Sequence, residues 1–398
     1  MRVVVEPVAL ARVIRNAGGP QVEGRRIGVV EYWRTDGDSD KRSDSLRHTV
    51  MPLARPSILV TSYYDPAATD PVFERLKPVA DVRRVLLDGG PTEDDLIDLL
   101  PGTHVVVIAG DPITQRVFES SPQLRMIAAD GVGVDSVDLT AATRHGVIVN
   151  NAPFVHEANG DFTLGLILAL VRKIVHTDRC VHDGRWNDRA EFVGSDLGGR
   201  TLGLLGFGRA AQAVARRTAG FDVRRLAYCR RPDREAAARL GVELVSFEDL
   251  LAGSDILSLH VALTDQTRGM MAAAELAQMK PDAYLINTSR GAVVDEAALI
   301  AALHSGHLAG AALDVLDHEP PLPDNPLLAM PNVIVTAHVA SDSVDSFRAV
   351  MNGVVDDILL LLNDRRPQHV VNPDVFEHER CRRYGMSWGN EDAPKTED

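Results

Sequence analysis

Apolar residues recur in short blocks from Ser57 onward, separated by stretches of mixed polarity. Ile58–Thr61, Val82–Leu87, His104–Ala109, Leu124–Ala128 and Val147–Asn150 are brief and nearly continuous in hydrophobicity, which predicts strands buried on both faces. Amphipathic segments such as Pro71–Leu76 and Glu93–Leu100 lie between them. His156–His176 is apolar over a longer span and predicts a buried helix. A second alternation runs from Leu202 to His338, with strands predicted at Leu202–Leu205, Val223–Tyr228, Ile256–Leu259, Ala283–Asn287, Gly310–Asp314 and Val333–Thr336. In Val344–Leu362 the residues Phe347, Val350, Met351, Val354, Val355 and Ile358 fall at helical spacing, and this helix is expected to return to the first domain. Strands alternating with helices specify parallel sheets covered on both faces. The expected class is therefore α/β, with two doubly wound parallel-sheet domains.

Composition narrows the function classes. The chain has 398 residues, 45% hydrophobic and 25% charged, enough for two domains with extensions. A net charge of −14 argues against nucleic acid or an acidic membrane as a partner. The longest apolar run, Leu164–Val171, is far short of the roughly 20 residues that span a bilayer. No signal-peptide pattern is evident. Three dispersed cysteines, Cys180, Cys229 and Cys381, give no CxxC pair, so neither a disulfide framework nor a metal site is expected, and a cytoplasmic location is.

Candidate chemistry begins at Leu202–Gln212, where an apolar strand stops at Gly206-Phe-Gly208 and a helix pattern follows. Gly206 permits a tight turn. Gly208 lets a pyrophosphate approach the backbone, and the free N–H groups of a helix opening at Arg209 and Ala210 face the anion. Ala211 takes the third position of the fingerprint. Alone, such a turn is weak evidence. Three later strands, however, are followed by Arg290, by Asp314 with Glu319, and by His338, all on the rim that carries Gly206.

Taken together, these segments resemble the D-isomer-specific 2-hydroxyacid dehydrogenase family. LGLLGFGRAAQ, SDILSLHVALTDQTRGMM, INTSRGAVVDE, GAALDVLDHEPP and TAHVAS occur in the family's order and spacing, after DGVGVDSVDL, NNAP and DGRW. The resemblance covers about Ser57–Pro373. It implies a Rossmann-type NAD(P)-binding domain, 156–340, inserted into a flavodoxin-like substrate domain, 56–155 and 341–373. Residues 1–55 are left as an extension with strand potential at Ile27–Tyr32, and 374–398 as a polar, mobile tail. A homodimer is implied as well.

A 2-hydroxy acid is an alcohol beside a carboxylate, so its redox chemistry needs a cation, an acid/base and a hydride carrier. Arg290 offers a planar fork for the carboxylate and carbonyl. His338 moves the proton, and Glu319 orients the imidazole and favours its protonated form. The resemblance also assigns Asp314 to the nicotinamide amide, Thr288 to backbone contacts with that ring, His260 to the loop beside the adenosine, Arg209 to the pyrophosphate, and Gly131, Val132 and Gly133 to the substrate carboxylate. Each of these positions could equally be ordinary loop structure.

Several positions depart from the family pattern. The acid expected about 20 residues past the glycines is replaced by Cys229, followed by Arg230 and Arg231. Two guanidinium groups there favour NADP(H), unless they are a solvated loop pair. Ala262 and Ala337 stand where proline is usual. Asp130 precedes the substrate glycine loop, and Ile108 falls near the place of a cation in phosphoglycerate-type members. A small unphosphorylated 2-oxo or 2-hydroxy acid of the glyoxylate/hydroxypyruvate kind is the expected substrate. The competing reading is an NAD(P)-sensing, corepressor-like binding protein of the same fold.

Overall fold

The computed structural model describes residues 27–33, 55–62, 71–87 and 89–382. These form two compact units. One comprises the described residues up to Phe154 together with those from Phe347 onward; the other runs from Val155 to Ser346.

The sheet of the first unit contains β1 (Ile27–Trp33), β2 (Ser57–Val60), β3 (Asp81–Leu87), β4 (Val105–Ile108), β5 (Met126–Ala129) and β6 (Ile148–Asn150). Their spatial order is β1-β3-β2-β4-β5-β6. Strands β2 to β6 pair in parallel, and without β1 their order is 2-1-3-4-5, the flavodoxin-like arrangement. The strand anticipated at Ile27–Tyr32 is present and joins the parallel strands in their sheet. It lies antiparallel on β3 as an edge strand, a common addition to a doubly wound sheet.

The core of this unit packs Leu59, Val106, Ile108, Ile127 and Val149 against Leu96, Val117 and Phe118. The helix Glu93–Leu99 starts where it does because Thr92 and Asp95 cap reciprocally. The Asp95 amide donates to Thr92 Oγ1 at 3.3 Å, and the Thr92 amide donates to Asp95 Oδ2 at 2.8 Å. The helix Val344–Leu362 buries Val350, Met351, Val354, Val355 and Ile358. On the same helix, buried Asp357 accepts from Asn150 Nδ2 at 2.9 Å and from the Gln368 amide at 2.7 Å.

The segment 374–382, anticipated as part of a mobile tail, is instead packed. Val375 and Cys381 are buried, and Arg380 donates to the carbonyls of Pro122, Leu124 and His145. Residues 1–26, 34–54 and 383–398 of the anticipated extension and tail lie outside the described residues.

The second unit's sheet has β7 (Thr201–Leu205), β8 (Arg224–Tyr228), β9 (Glu243–Leu244), β10 (Ile256–Leu259), β11 (Ala283–Asn287), β12 (Leu308–Leu313) and β13 (Val333–Val335), in the order β13-β12-β11-β10-β7-β8-β9. All pairs are parallel. Strands β7 and β10 are buried along their whole length, as their predominantly apolar sequences require.

The single helix anticipated over His156–His176 is broken. It ends at Val171, Lys173 takes a left-handed conformation (φ 53°), and a second helix runs Ile174–His182. The break is held by the returning chain, because the Ser195 amide donates to the Val171 carbonyl at 2.8 Å and Lys173 Nζ donates to the Glu191 carbonyl at 3.1 Å. Among the described residues no helix is long and apolar enough to cross a membrane.

Candidate active site

In an all-parallel sheet every strand delivers its following loop to one edge. The loops after β7, β8, β10, β11, β12 and β13 therefore share the carboxyl rim of the second unit, and the strand order reverses at β7 and β10. The glycine turn sits at that reversal. Gly206 has φ 92°, and a Cβ there would lie 2.6 Å from the His260 carbonyl oxygen, so both its conformation and its neighbour exclude a side chain. Gly208 is different, because a Cβ at this position would meet nothing within 4 Å. The protein itself leaves open the space in front of Gly208, and no side chain caps the helix Arg209–Arg217 that begins there. Free amide donors beside open space fit the pyrophosphate of a dinucleotide. Buried Ala211 completes the fingerprint, and a Cβ on Gly160 would come within 2.8 Å of Ala213, so the helix His156–Val171 packs closely on this one. Arg209 is exposed at the helix start, with Ala210 partly covered beside it.

The loop after β11 carries Arg290 and is shaped by Asn287. That side chain accepts from the Ser289 amide at 3.0 Å and from Ser289 Oγ at 2.8 Å, and donates to the Arg290 carbonyl at 2.9 Å. Arg290 Nη1 donates to the Ser289 carbonyl at 2.8 Å. Gly291 lets this loop lie on the one after β12. A Cβ on it would fall 1.9 Å from Leu316 backbone atoms. Neither Asn287 nor Gly291 was singled out from the sequence, although the Asn-Thr-Ser-Arg-Gly run contains both.

The loop after β12 carries Glu319, whose Oε1 accepts from the Leu316 amide at 2.9 Å. Its Oε2 lies 2.7 Å from His338 Nδ1. The bond to Glu319 raises the His338 pKa. Burial and the Arg290 charge oppose that rise, and the Asp314 charge assists it. Burial pushes the Glu319 carboxyl up, but the bonds from His338 and the Leu316 amide, with the charges of His338 and Arg290, hold it net below its usual range. Arg290 thus lies within electrostatic reach of both members of the pair.

His338 itself has φ 55°, an uncommon conformation for a residue with a side chain. Asp314 accounts for it. The buried carboxylate accepts from Thr336 Oγ1 at 2.6 Å and from the amides of Val339 at 3.0 Å and Ala340 at 2.8 Å, while the Asp314 carbonyl accepts from the His338 amide at 2.8 Å. Asp314 therefore organises the histidine loop. Asp342, an exposed acid not singled out from the sequence, has its pKa raised by desolvation and by the Asp314 charge.

The remaining anticipated positions are placed as follows. The Gly206 amide donates to the Tyr228 carbonyl at 2.8 Å, so Cys229, Arg230 and Arg231 follow β8 beside the glycine turn. Both arginines are exposed, and Arg230 donates to Gln266 Oε1. Desolvation pushes His260 down to about 4, and its Nε2 lies 2.9 Å from Ser258 Oγ. Thr288 is buried, with its hydroxyl 3.0 Å from that of Thr163 and its carbonyl accepting from Asn159 Nδ2 at 3.2 Å. Gly131, Val132 and Gly133 belong to the first unit, after β5. There the Gly131 carbonyl accepts from the Ala152 amide at 2.8 Å, the Val132 carbonyl accepts from Asn151 Nδ2 at 2.9 Å, and the Val132 side chain is exposed.

Comparison with known proteins identifies the family. Residues 164–340 match the model of the D-isomer specific 2-hydroxyacid dehydrogenase, NAD binding domain. A glyoxylate reductase of Korarchaeum cryptofilum is 43% identical over 279 residues, 69% of this chain and 83% of that protein. A D-3-phosphoglycerate dehydrogenase of Archaeoglobus fulgidus is 36% identical over 290 residues, 72% of this chain, which spans 55% of that longer protein. Among solved structures, an NADPH-dependent glyoxylate/hydroxypyruvate reductase of Sinorhizobium meliloti, in complex with NADP and malonate, superposes with a TM-score of 0.69 at 32% identity, covering 80% of this chain and 97% of that one. The chain belongs to the D-isomer specific 2-hydroxyacid dehydrogenase family, and its second unit contains the nicotinamide-cofactor-binding domain of that family.

Proposed function

We propose that this chain reduces small, unphosphorylated 2-oxo acids such as glyoxylate or hydroxypyruvate to D-2-hydroxy acids, using NADPH in preference to NADH. The observation that carries the reading is the 2.7 Å His338–Glu319 pair with Arg290 in electrostatic reach on one rim. Arg290 holds the substrate carboxylate and polarises the neighbouring carbonyl oxygen. Glu319 occupies His338 Nδ1, which leaves Nε2 to give its proton to that oxygen. When bound, the nicotinamide supplies the hydride to C2. Asp314 fixes the loop that presents the histidine, and we retain for it a contact to the nicotinamide amide. Thr288, Arg209, Ala210 and His260 are assigned to the cofactor, and the Gly131–Gly133 backbone to the substrate carboxylate.

The absence of a cation in Ile108–Asp111, a stretch with buried Ile108 and Asp111, supports an unphosphorylated substrate. The NADPH preference rests on Arg230 and Arg231 at the end of β8, with Cys229 where a carboxylate would repel a 2′-phosphate. We further propose a homodimer. The exposed apolar side chains of Ile174, Val181, Trp186 and Val193 support one, and light scattering of the purified chain tests it.

The deciding experiment is a reductase assay with NADPH and NADH over a panel of 2-oxo acids, including 3-phosphohydroxypyruvate, repeated with His338→Gln. Turnover of small 2-oxo acids that is lost in the variant is expected. Equal activity of the two proteins, or cofactor binding without turnover of any panel member, overturns the proposal. For the cofactor, Arg230→Ala/Arg231→Ala should raise the KM for NADPH about tenfold or more while leaving that for NADH unchanged. An unchanged NADPH/NADH ratio removes the preference.

A further inference from the structure

We propose that His176, Cys180 and Glu191 form a binding site for one zinc-class divalent ion, at the end of the second unit's helix Ile174–His182 and outside the catalytic rim. The ligand atoms of the three residues all lie within 4.8 Å of one another. His176 Nε2 is 3.7 Å from Cys180 Sγ and 3.7 Å from Glu191 Oε2. A tetrahedral zinc with bonds of about 2.0–2.3 Å separates such ligand pairs by roughly 3.5 Å, so these edges close with shifts of a few tenths of an ångström. His176 and Cys180 are one helical turn apart and therefore share a face. A mixed N, S and O set suits zinc better than magnesium or calcium, which prefer oxygen.

The framework is fixed before any ion arrives. Cys180 is 2% exposed, the His176 ring packs edge-on against Phe192 at 6.3 Å, and the loop bearing Glu191 is tied back through Lys173 and Ser195. The Glu191 side chain, 51% exposed, provides the entry path.

A cation already occupies the centre of this group. Arg185 donates to Cys180 Sγ at 3.3 Å, to Asp188 Oδ2 at 2.8 Å and to Glu191 Oε2 at 2.6 Å. The guanidinium balances a cluster that holds two carboxylates and a thiol. A metal ion would take over that balance at higher charge, releasing the thiol proton to solvent and freeing Arg185 from the sulfur. The fourth position would be taken by water from the exposed side of Glu191.

The test uses the full chain, stripped with a chelator and then titrated with cobalt(II) and with zinc against a competing indicator. One ion per chain and a cobalt–thiolate charge-transfer band are expected. Cys180→Ser should abolish the band, and both Cys180→Ser and His176→Gln should weaken zinc by about 100-fold or more. Arg185→Gln should bind zinc as tightly as the wild type or more so. The proposal is overturned if the wild-type protein shows no thiolate band, if the band persists in Cys180→Ser, or if Arg185→Gln loses the ion. Should a ligand variant fail to fold, the wild type still decides. The cobalt–thiolate band of the wild type must bleach when zinc displaces cobalt at one equivalent per chain, and a band that zinc does not displace sinks the site.

Discussion

At the scale of single residues, the His338–Glu319 pair governs pH behaviour. Reduction needs protonated His338, and Glu319 raises its pKa, so activity should hold to higher pH than a free imidazole would allow and fall as pH passes the raised value. Glu319→Gln removes the carboxylate and should move that falling limb of kcat/KM to lower pH, while His338→Gln should cost about 10²–10⁴ in kcat. A pH–rate profile of Glu319→Gln that superimposes on wild type refutes the assigned role. The same shifts bear on stability with opposite signs. The raised histidine stabilises the folded state below its ordinary 6.5, and this is lost as pH rises through the folded value. The lowered Glu319 stabilises above its ordinary 4.5, and this is lost as pH falls through its folded value. The pair therefore stabilises fully only between those limits, a window that denaturation of wild type and Glu319→Gln across pH would reveal.

Among elements, the glycines separate folding from function. Gly291→Ala drives a Cβ into Leu316 backbone that has nowhere to move, and should destabilise the second unit by about 2 kcal/mol or more while also dislodging Arg290 from the Glu319 loop. Gly208→Ala meets open space, so its melting temperature should match wild type while its dissociation constant for NADPH rises several-fold. Equal cofactor affinity in Gly208→Ala and wild type would remove the pyrophosphate from that turn.

The contrast also shows what a sequence can disclose. Arg290, Glu319 and His338 were legible because each follows an apolar strand, and strand ends in a parallel sheet share a rim. The demand on Gly291 was not legible, because it arises from a backbone 25 residues away in the chain. The helix break at Lys173 was hidden for a similar reason. Local periodicity continues through it, and the hydrogen bonds that hold it come from Glu191 and Ser195. The proximity of His176, Cys180 and Glu191 was not legible either, because counting cysteines looks for CxxC and overlooks a histidine one turn before a lone thiol.

Across the whole molecule, two runs of alternating strands and helices predicted two sheets, and both are present in the strand orders that parallel winding favours. The pairing of β1 and the packing of the segment up to Arg382 were less visible, since both depend on partners distant in the chain, β3 for the strand and the carbonyls of Pro122, Leu124 and His145 for Arg380. The first unit carries a pH liability of its own. Asp111 is 3% exposed, and its Oδ2 accepts from Thr61 Oγ1, which also lies 3.0 Å from the Val107 carbonyl. Burial pushes Asp111 up to about 6 from 3.8, against the bonds from Thr61 and the Ala109 backbone, which favour the carboxylate. Between those values the folded state binds more protons than the unfolded state, so stability falls as pH rises. Above about 6 the accumulated cost is on the order of 3 kcal/mol. Asp111→Asn keeps an acceptor for Thr61 and removes the ionisation. Calorimetry should show the transition of the first unit several degrees higher in the variant at pH 8, with the difference shrinking towards zero at pH 4. A difference of the same size at both pH values would mean that the carboxyl is charged throughout.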